Sequence, residues 1–154
     1  MKMKRIALVG VLALTAFALF ACGGSKEINE EAKTAFVGVW EWVEDIGDTE
    51  TDSYSREEVA ELKELGLTSK IVICEDGTFA YDEIGTVETG TWFAKDGINI
   101  KLEFETEYLT ANLENGVLKA FFDGGDSFYE LNGETAVATA ADYVTPMDPA
   151  LTEE

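Results

Sequence analysis

Histidine is absent from this 154-residue chain. Without an imidazole there is no Ser-His-Asp or Cys-His nucleophile system, no His-ligated zinc or haem, and no imidazole acid-base catalyst. Basic residues are scarce as well: 11 Lys plus Arg stand against 31 Asp plus Glu, for a formal charge of −20. Nucleic acid is therefore not expected as a partner, because binding it needs a basic surface that displaces counterions from phosphates. Two cysteines are too few for a disulfide framework or a four-thiolate metal site. What is present is 46% hydrophobic residues and 11% aromatics, enough at this length to pack the core of one domain.

Charge of the scarce sign opens the chain. Lys2, Lys4 and Arg5 precede an uncharged apolar run from Ile6 to Ala21. As a helix the run would be ~24 Å long, short of the ~30 Å hydrocarbon core, so it reads as a cleaved signal rather than a membrane span. It ends at Leu19-Phe20-Ala21-Cys22, which resembles the lipobox of bacterial lipoproteins. In that family the cysteine thiol receives diacylglycerol and the peptide is cut before it. The resemblance thus implies a signal peptide over 1–21, lipidation of Cys22, and a domain held at the extracytoplasmic face of the membrane. The alternative is an ordinary secretory signal with an incidental cysteine near its end. Cleavage would remove three cations and no acid, so an anionic bilayer surface would repel what remains and the acyl chains would hold it. Residues 22–35 are small, polar and charged, and read as a flexible tether reaching ~20 Å.

From Phe36 to Leu131 short β-prone runs alternate with turn signals. The runs are Val37 to Glu44, Lys70 to Glu75, Thr78 to Asp82, Val87 to Lys95, Ile98 to Glu105, Tyr108 to Glu114, Val117 to Asp123 and Ser127 to Leu131. Asp76-Gly77, Asp96-Gly97 and Asn115-Gly116 favour type I′ hairpins, so neighbours should pair antiparallel. After the first run, Ser55 with Glu58 forms a capping-box signature, Val59, Leu62 and Leu65 recur on one face, and Gly66 can stop the helix. The fold expected is all-β, an eight-stranded antiparallel meander closed into a barrel, with one short helix between the first and second strands. Alternation points Ile98, Ile100, Leu102 and Phe104 inward, and likewise Leu109, Ala111 and Leu113, then Leu118, Ala120 and Phe122. Both faces of the first run are apolar, which calls for a cover outside it. Residues 132–154, with the only prolines at Pro146 and Pro149, read as a mobile acidic tail; the alternative is a short helix over Ala136 to Tyr143 packed on the barrel.

Gly38-Val39-Trp40, Glu75-Asp76-Gly77-Thr78-Phe79 and Gly90-Thr91-Trp92, in that order, resemble the short lipocalin-like domain of bacterial lipoproteins across 36–131. In lipocalins the Gly-x-Trp tryptophan closes one end of the barrel, a role the resemblance assigns to Trp40 with Gly38. Two features depart from it: the arginine that stacks there after the last strand is missing, and the helix precedes the second strand instead of following the barrel.

Asp48, Glu50 and Asp52, or Asp123 and Asp126, could offer oxygens to calcium, but they lack an EF-hand pattern and read as solvated loops. No nucleophile elbow or phosphate-binding glycine loop occurs, so neither an enzyme nor a cofactor is expected. Trp40, Trp42, Phe79, Tyr81, Trp92, Phe93, Phe104, Phe121 and Phe122 are core candidates, and Cys74 a structural thiol. Two functions fit. One is a monomeric, membrane-anchored binding protein holding a small apolar or amphiphilic ligand against Ile100, Leu102, Phe104 and Leu118. The other is an interaction or inhibitor module for an envelope protein, with a filled barrel. Small inward side chains would permit the first, and large ones throughout would favour the second.

Overall fold

The structure, a computed structural model, describes residues 28–143. The segment expected as a signal peptide, the expected lipidation site Cys22 and the end of the acidic C-terminal segment lie outside these residues. Eight strands follow one another in a meander: β1 (Gly38–Gly47), β2 (Ser69–Ile73), β3 (Thr78–Glu83), β4 (Thr86–Phe93), β5 (Asn99–Glu103), β6 (Tyr108–Glu114), β7 (Val117–Phe122) and β8 (Gly125–Leu131). Each pairs antiparallel with the next, and β8 pairs with β1 to close the barrel. Closure removes the free sheet edges and places every apolar inward face in one shared core.

The hairpins reach their turns by different chemistry. At Asn115-Gly116 both residues have positive φ, as a type I′ turn requires. At Asp76-Gly77 only the glycine does, and at Asp96-Gly97 neither does. There the aspartate carboxylates take over the turn: Asp76 accepts from the Thr78 amide, and Asp96 from the amides of Ile98 and Asn99. The Asp96 turn also corrects the expectation for Ile98. It precedes β5, and its side chain is 58% exposed instead of inward. Phe121 likewise faces out, with Lys119 over its ring.

Helix α1 (Glu30–Phe36) takes up residues 30–35 of the segment expected as a flexible tether. Asn29 caps it by accepting from the Ala32 amide at 2.7 Å, and Glu30 and Glu31 lie in the first turn, where the helix dipole favours them. Ala32 and Phe36, four residues apart on one face, are both fully buried. They close one end of the barrel: Phe36 meets Trp92 edge-on at 6.4 Å, and Asn29 donates to the Lys95 carbonyl. Ala35, and Ile28 ahead of the helix, pack partly buried against the same core, while the other helix positions are polar or charged, which is why the segment reads as polar.

Helix α2 (Arg56–Glu64) carries the expected capping box, with Ser55 and Glu58 satisfying each other's amides. It buries Val59 and lies along the outer wall, where Arg56 pairs with Glu44 and Glu130 and Lys63 with Glu41. Leu65 ends the helix exposed, and Gly66 at φ +81° makes the stop.

The chain after β8 is packed on the wall as far as Tyr143. Helix α3 (Ala140–Tyr143) and the residues before it cover an outward stripe of Val39, Val72, Cys74 and Ala80. The Ala140 amide donates to the Thr78 hydroxyl and the Tyr143 hydroxyl to Asp82, at 2.8 and 2.9 Å. This segment is the cover that the doubly apolar first strand calls for, and it corrects the reading of a mobile tail from residue 132.

Candidate functional site

Inside the barrel, the part next to α1 is filled. Trp40, Ile71, Ile73, Phe79, Trp92, Ile100, Leu102 and Leu118 are all buried in one cluster. Trp40 stands at the end closed by α1, its indole N–H donating to the Phe36 carbonyl. Of the four residues expected to hold a ligand, Ile100, Leu102 and Leu118 belong to this packed region. Phe104 alone reaches the other end, half-buried, edge-on to Phe79 at 4.9 Å.

Among the described residues no helix crosses that second end. Its rim is aromatic: Trp42, Tyr81, Phe104 and Phe122 pack on the core but stay half-buried. Tyr81 lies 6.3 Å from Phe104 and 6.0 Å from Phe122 between ring centroids. Tyr54 joins them from the loop after β1. Its backbone exchanges two hydrogen bonds with Asp45, which puts both side chains on one face, and its ring meets Trp42 edge-on at 6.0 Å.

Beneath the rim lies a buried polar group of Asp45, Ser69, Ser127 and Tyr129, which Tyr81 joins from the rim. A bulge between Trp42 and Glu44 shifts the parity of β1, so Asp45 pairs with Ser127 and turns inward. Asp45 is only 6% exposed. The Ser69 and Tyr129 hydroxyls are 3.4 Å apart, and Tyr81 hydrogen-bonds to both residues. Burial pushes the Tyr81 phenol up to about 12, with the nearby Glu83 and Asp45 carboxylates acting in the same direction. Burial also raises Tyr129 well above its ordinary value, assisted by Tyr81 and Asp45. Both phenols are therefore neutral donors or acceptors at any physiological pH.

The ladder between β4 and β5 spans only Thr91–Phe93, so above Thr91 the wall between these strands is not closed by hydrogen bonds. Gly90 permits the close approach below the gap, since a Cβ there would collide with the Glu103 carbonyl oxygen and lie 2.7 Å from the Phe79 ring. Beside the mouth, an open cleft of about 530 Å³ runs between the end of β1 and the start of α2, lined by Glu44, Asp48, Glu50, Tyr54 and Glu58. Its acids do not converge: among the described residues no three carboxylates or thiols approach as a metal site would need. Asp52 accepts from the Thr49 hydroxyl, and Asp126 pairs with Lys119.

Alternation already points Phe122 inward, and it could also have placed Ser69, Tyr81 and Tyr129, which share the parity of Ile71, Phe79 and Ser127. It could not have found Asp45, because the parity of Val37, Val39 and Val43 puts that residue outside until the bulge intervenes. No protein-family model matches the chain, and neither a curated protein nor a solved structure matches it significantly.

Proposed function

We propose that the protein is a membrane-anchored, extracytoplasmic binding lipoprotein whose barrel takes a small amphiphilic ligand at its open mouth, not in its depth. The observation that carries this reading is the asymmetry of the barrel. One end is sealed by α1 and packed solid, while the other keeps half-buried rings over a buried carboxylate and three hydroxyl-bearing side chains. Packing alone would place such rings fully inside, and amphiphile binding uses an apolar surface with a few fixed polar groups. The filled core excludes a long chain threaded through the barrel, in line with the expectation that large inward side chains work against a deep carrier. The lipobox at Leu19-Phe20-Ala21-Cys22 supports the anchor.

Native mass spectrometry of the full protein, purified from its host in mild detergent, tests the reading. A co-purified small molecule that Phe104→Ala releases, while Leu65→Ala on the outer wall retains it, is the expected result. Apoprotein throughout, with Phe104→Ala affecting stability alone, would instead favour the envelope-protein interaction module.

A further inference from the structure

The two ends of the barrel differ in how they can meet a membrane. The chain is pinned to the sealed end from Ile28 onward: Ile28 packs against the core beside Gly77, and Asn29 donates to the Lys95 carbonyl just before α1 begins. Ile28 is the sixth residue after Cys22. That length of chain reaches ~20 Å when fully extended and ~14 Å as a flexible coil. The mouth is formed by the loops at the opposite ends of the strands, 48–54, 84–85, 104–107 and 123–124. Seven-residue strands such as β6 and β8 rise ~3.3 Å per residue and tilt by ~40°, which sets these loops ~18 Å or more beyond the sealed end. To press the mouth onto the bilayer, the tether would have to climb this height along the outer wall and also cross a headgroup layer ~6 Å deep. Its length does not allow that. Charge offers no pull in that direction either: Asp48, Glu50, Glu105, Glu107 and Asp123 are exposed in the mouth loops, which contain no lysine or arginine. A bilayer with anionic lipid repels so acidic a domain, which works against a barrel lying on its side.

We infer that the short tether stands the barrel on its α1 end, so that the mouth faces the aqueous compartment and not the leaflet that holds the anchor. This rests on the anchor reading above and adds the direction from which the mouth is approached. The direction is the same whether the mouth takes an amphiphile or docks an envelope protein. For an amphiphile it sets the class of ligand. A lipid of the anchoring leaflet has to leave the bilayer entirely before it reaches Phe104, at a cost of ~0.8 kcal/mol for each buried CH₂. Two long acyl chains make that cost prohibitive, so the ligand is an amphiphile with appreciable solubility as a monomer.

The test is energy transfer to the membrane surface. The protein purified from host membranes is added to liposomes of phosphatidylcholine and phosphatidylglycerol, about four to one, that carry an acceptor dye on a headgroup. A donor dye is attached through Glu75→Cys at the sealed end or Thr106→Cys at the mouth, both exposed positions, in a Cys74→Ala background. Should either labelled chain misfold, Glu114→Cys and Asp123→Cys report the same two ends. The donor at position 106 is expected ~20 Å farther from the acceptor plane than the donor at position 75. Inserting about twenty Gly-Ser residues after Ser25 should shrink that gap by half or more, because a long coil lets the domain tumble. Equal distances for the two donors, or a nearer mouth, in a protein whose mass shows an acylated Cys22 would overturn the inference and leave the anchor standing. A gap unchanged by the insertion would overturn the tether as its cause. Unacylated Cys22 in a protein that stays off the liposomes would overturn the anchor reading and the inference together.

Discussion

The indole N–H of Trp40 donates to the carbonyl oxygen of Phe36 at 2.8 Å, joining the first strand to the helix that seals the barrel. Phe36 is fully buried against Trp92, so the segment ahead of the sheet is part of the core. Phe36→Ala should cost ~3–5 kcal/mol, the usual penalty for emptying a buried phenylalanine site. Urea denaturation of the full chain measures this, and a midpoint unchanged from wild type would mean that α1 is dispensable.

Ile84 sits at φ +53° in the two-residue turn with Gly85, a left-handed conformation that a β-branched residue adopts only at a cost. Its side chain is 39% exposed, so only part of it is covered in return. Ile84→Asn should stabilise the protein by about 1 kcal/mol and raise its Tm, since asparagine tolerates this region. A lower Tm would show that Ile84 packs usefully after all.

Alkali should act through the two phenols of the mouth. The Tyr81 phenol is raised to about 12 and Tyr129 is raised as well, against about 10 in an unfolded chain. Above pH ~10 the unfolded state loses protons that the folded state keeps, so stability is complete below pH ~10 and falls as pH rises toward 12. The slope is at most ~1.4 kcal/mol per pH unit for each tyrosine. Phenolate absorbance should show Tyr81 and Tyr129 titrating late, together with Tyr143, which burial and its hydrogen bond to Asp82 also raise, and early titration of all the tyrosines in the native protein would contradict the burial.

Cys74 lies beneath the segment that ends in α3, fully buried, and burial raises its thiol pKa above the ordinary value. In a Cys22→Ser background its reaction with a thiol reagent should be slow and limited by opening of that cover. Tyr143→Phe removes the hydrogen bond to Asp82 and should accelerate labelling several-fold, with the barrel still folded. Equal rates would place the protection in the barrel wall instead.

Leu102→Ala and Phe104→Ala should separate the depth of the barrel from its mouth. Leu102 is fully enclosed, and its truncation should cost ~2–5 kcal/mol without changing ligand affinity in the folded fraction. Phe104, on the same strand parity but half-exposed, should lose affinity at a smaller cost in stability. Equal loss of affinity in both would mean that the ligand reaches the packed region.

Much of this protein follows from local sequence. The eight runs and their turns emerge from alternation and from glycine placement, because a two-residue period and a positive φ are properties of a few consecutive residues. The Ser55 and Glu58 box marks the start of α2 for the same reason. What only the tertiary structure decided is where the two ends of the barrel differ. Ala32 and Phe36 become a plug because the barrel offers them an end to close, and a short helix whose apolar residues are Ala32, Ala35 and Phe36 carries no such signal by itself. Asp45 turns inward because a single extra residue in β1 reverses parity where that strand must pair both with β8 and with Tyr54. A one-residue slip exchanges the faces of every position beyond it, and the slip is set by partners more than eighty residues away in sequence.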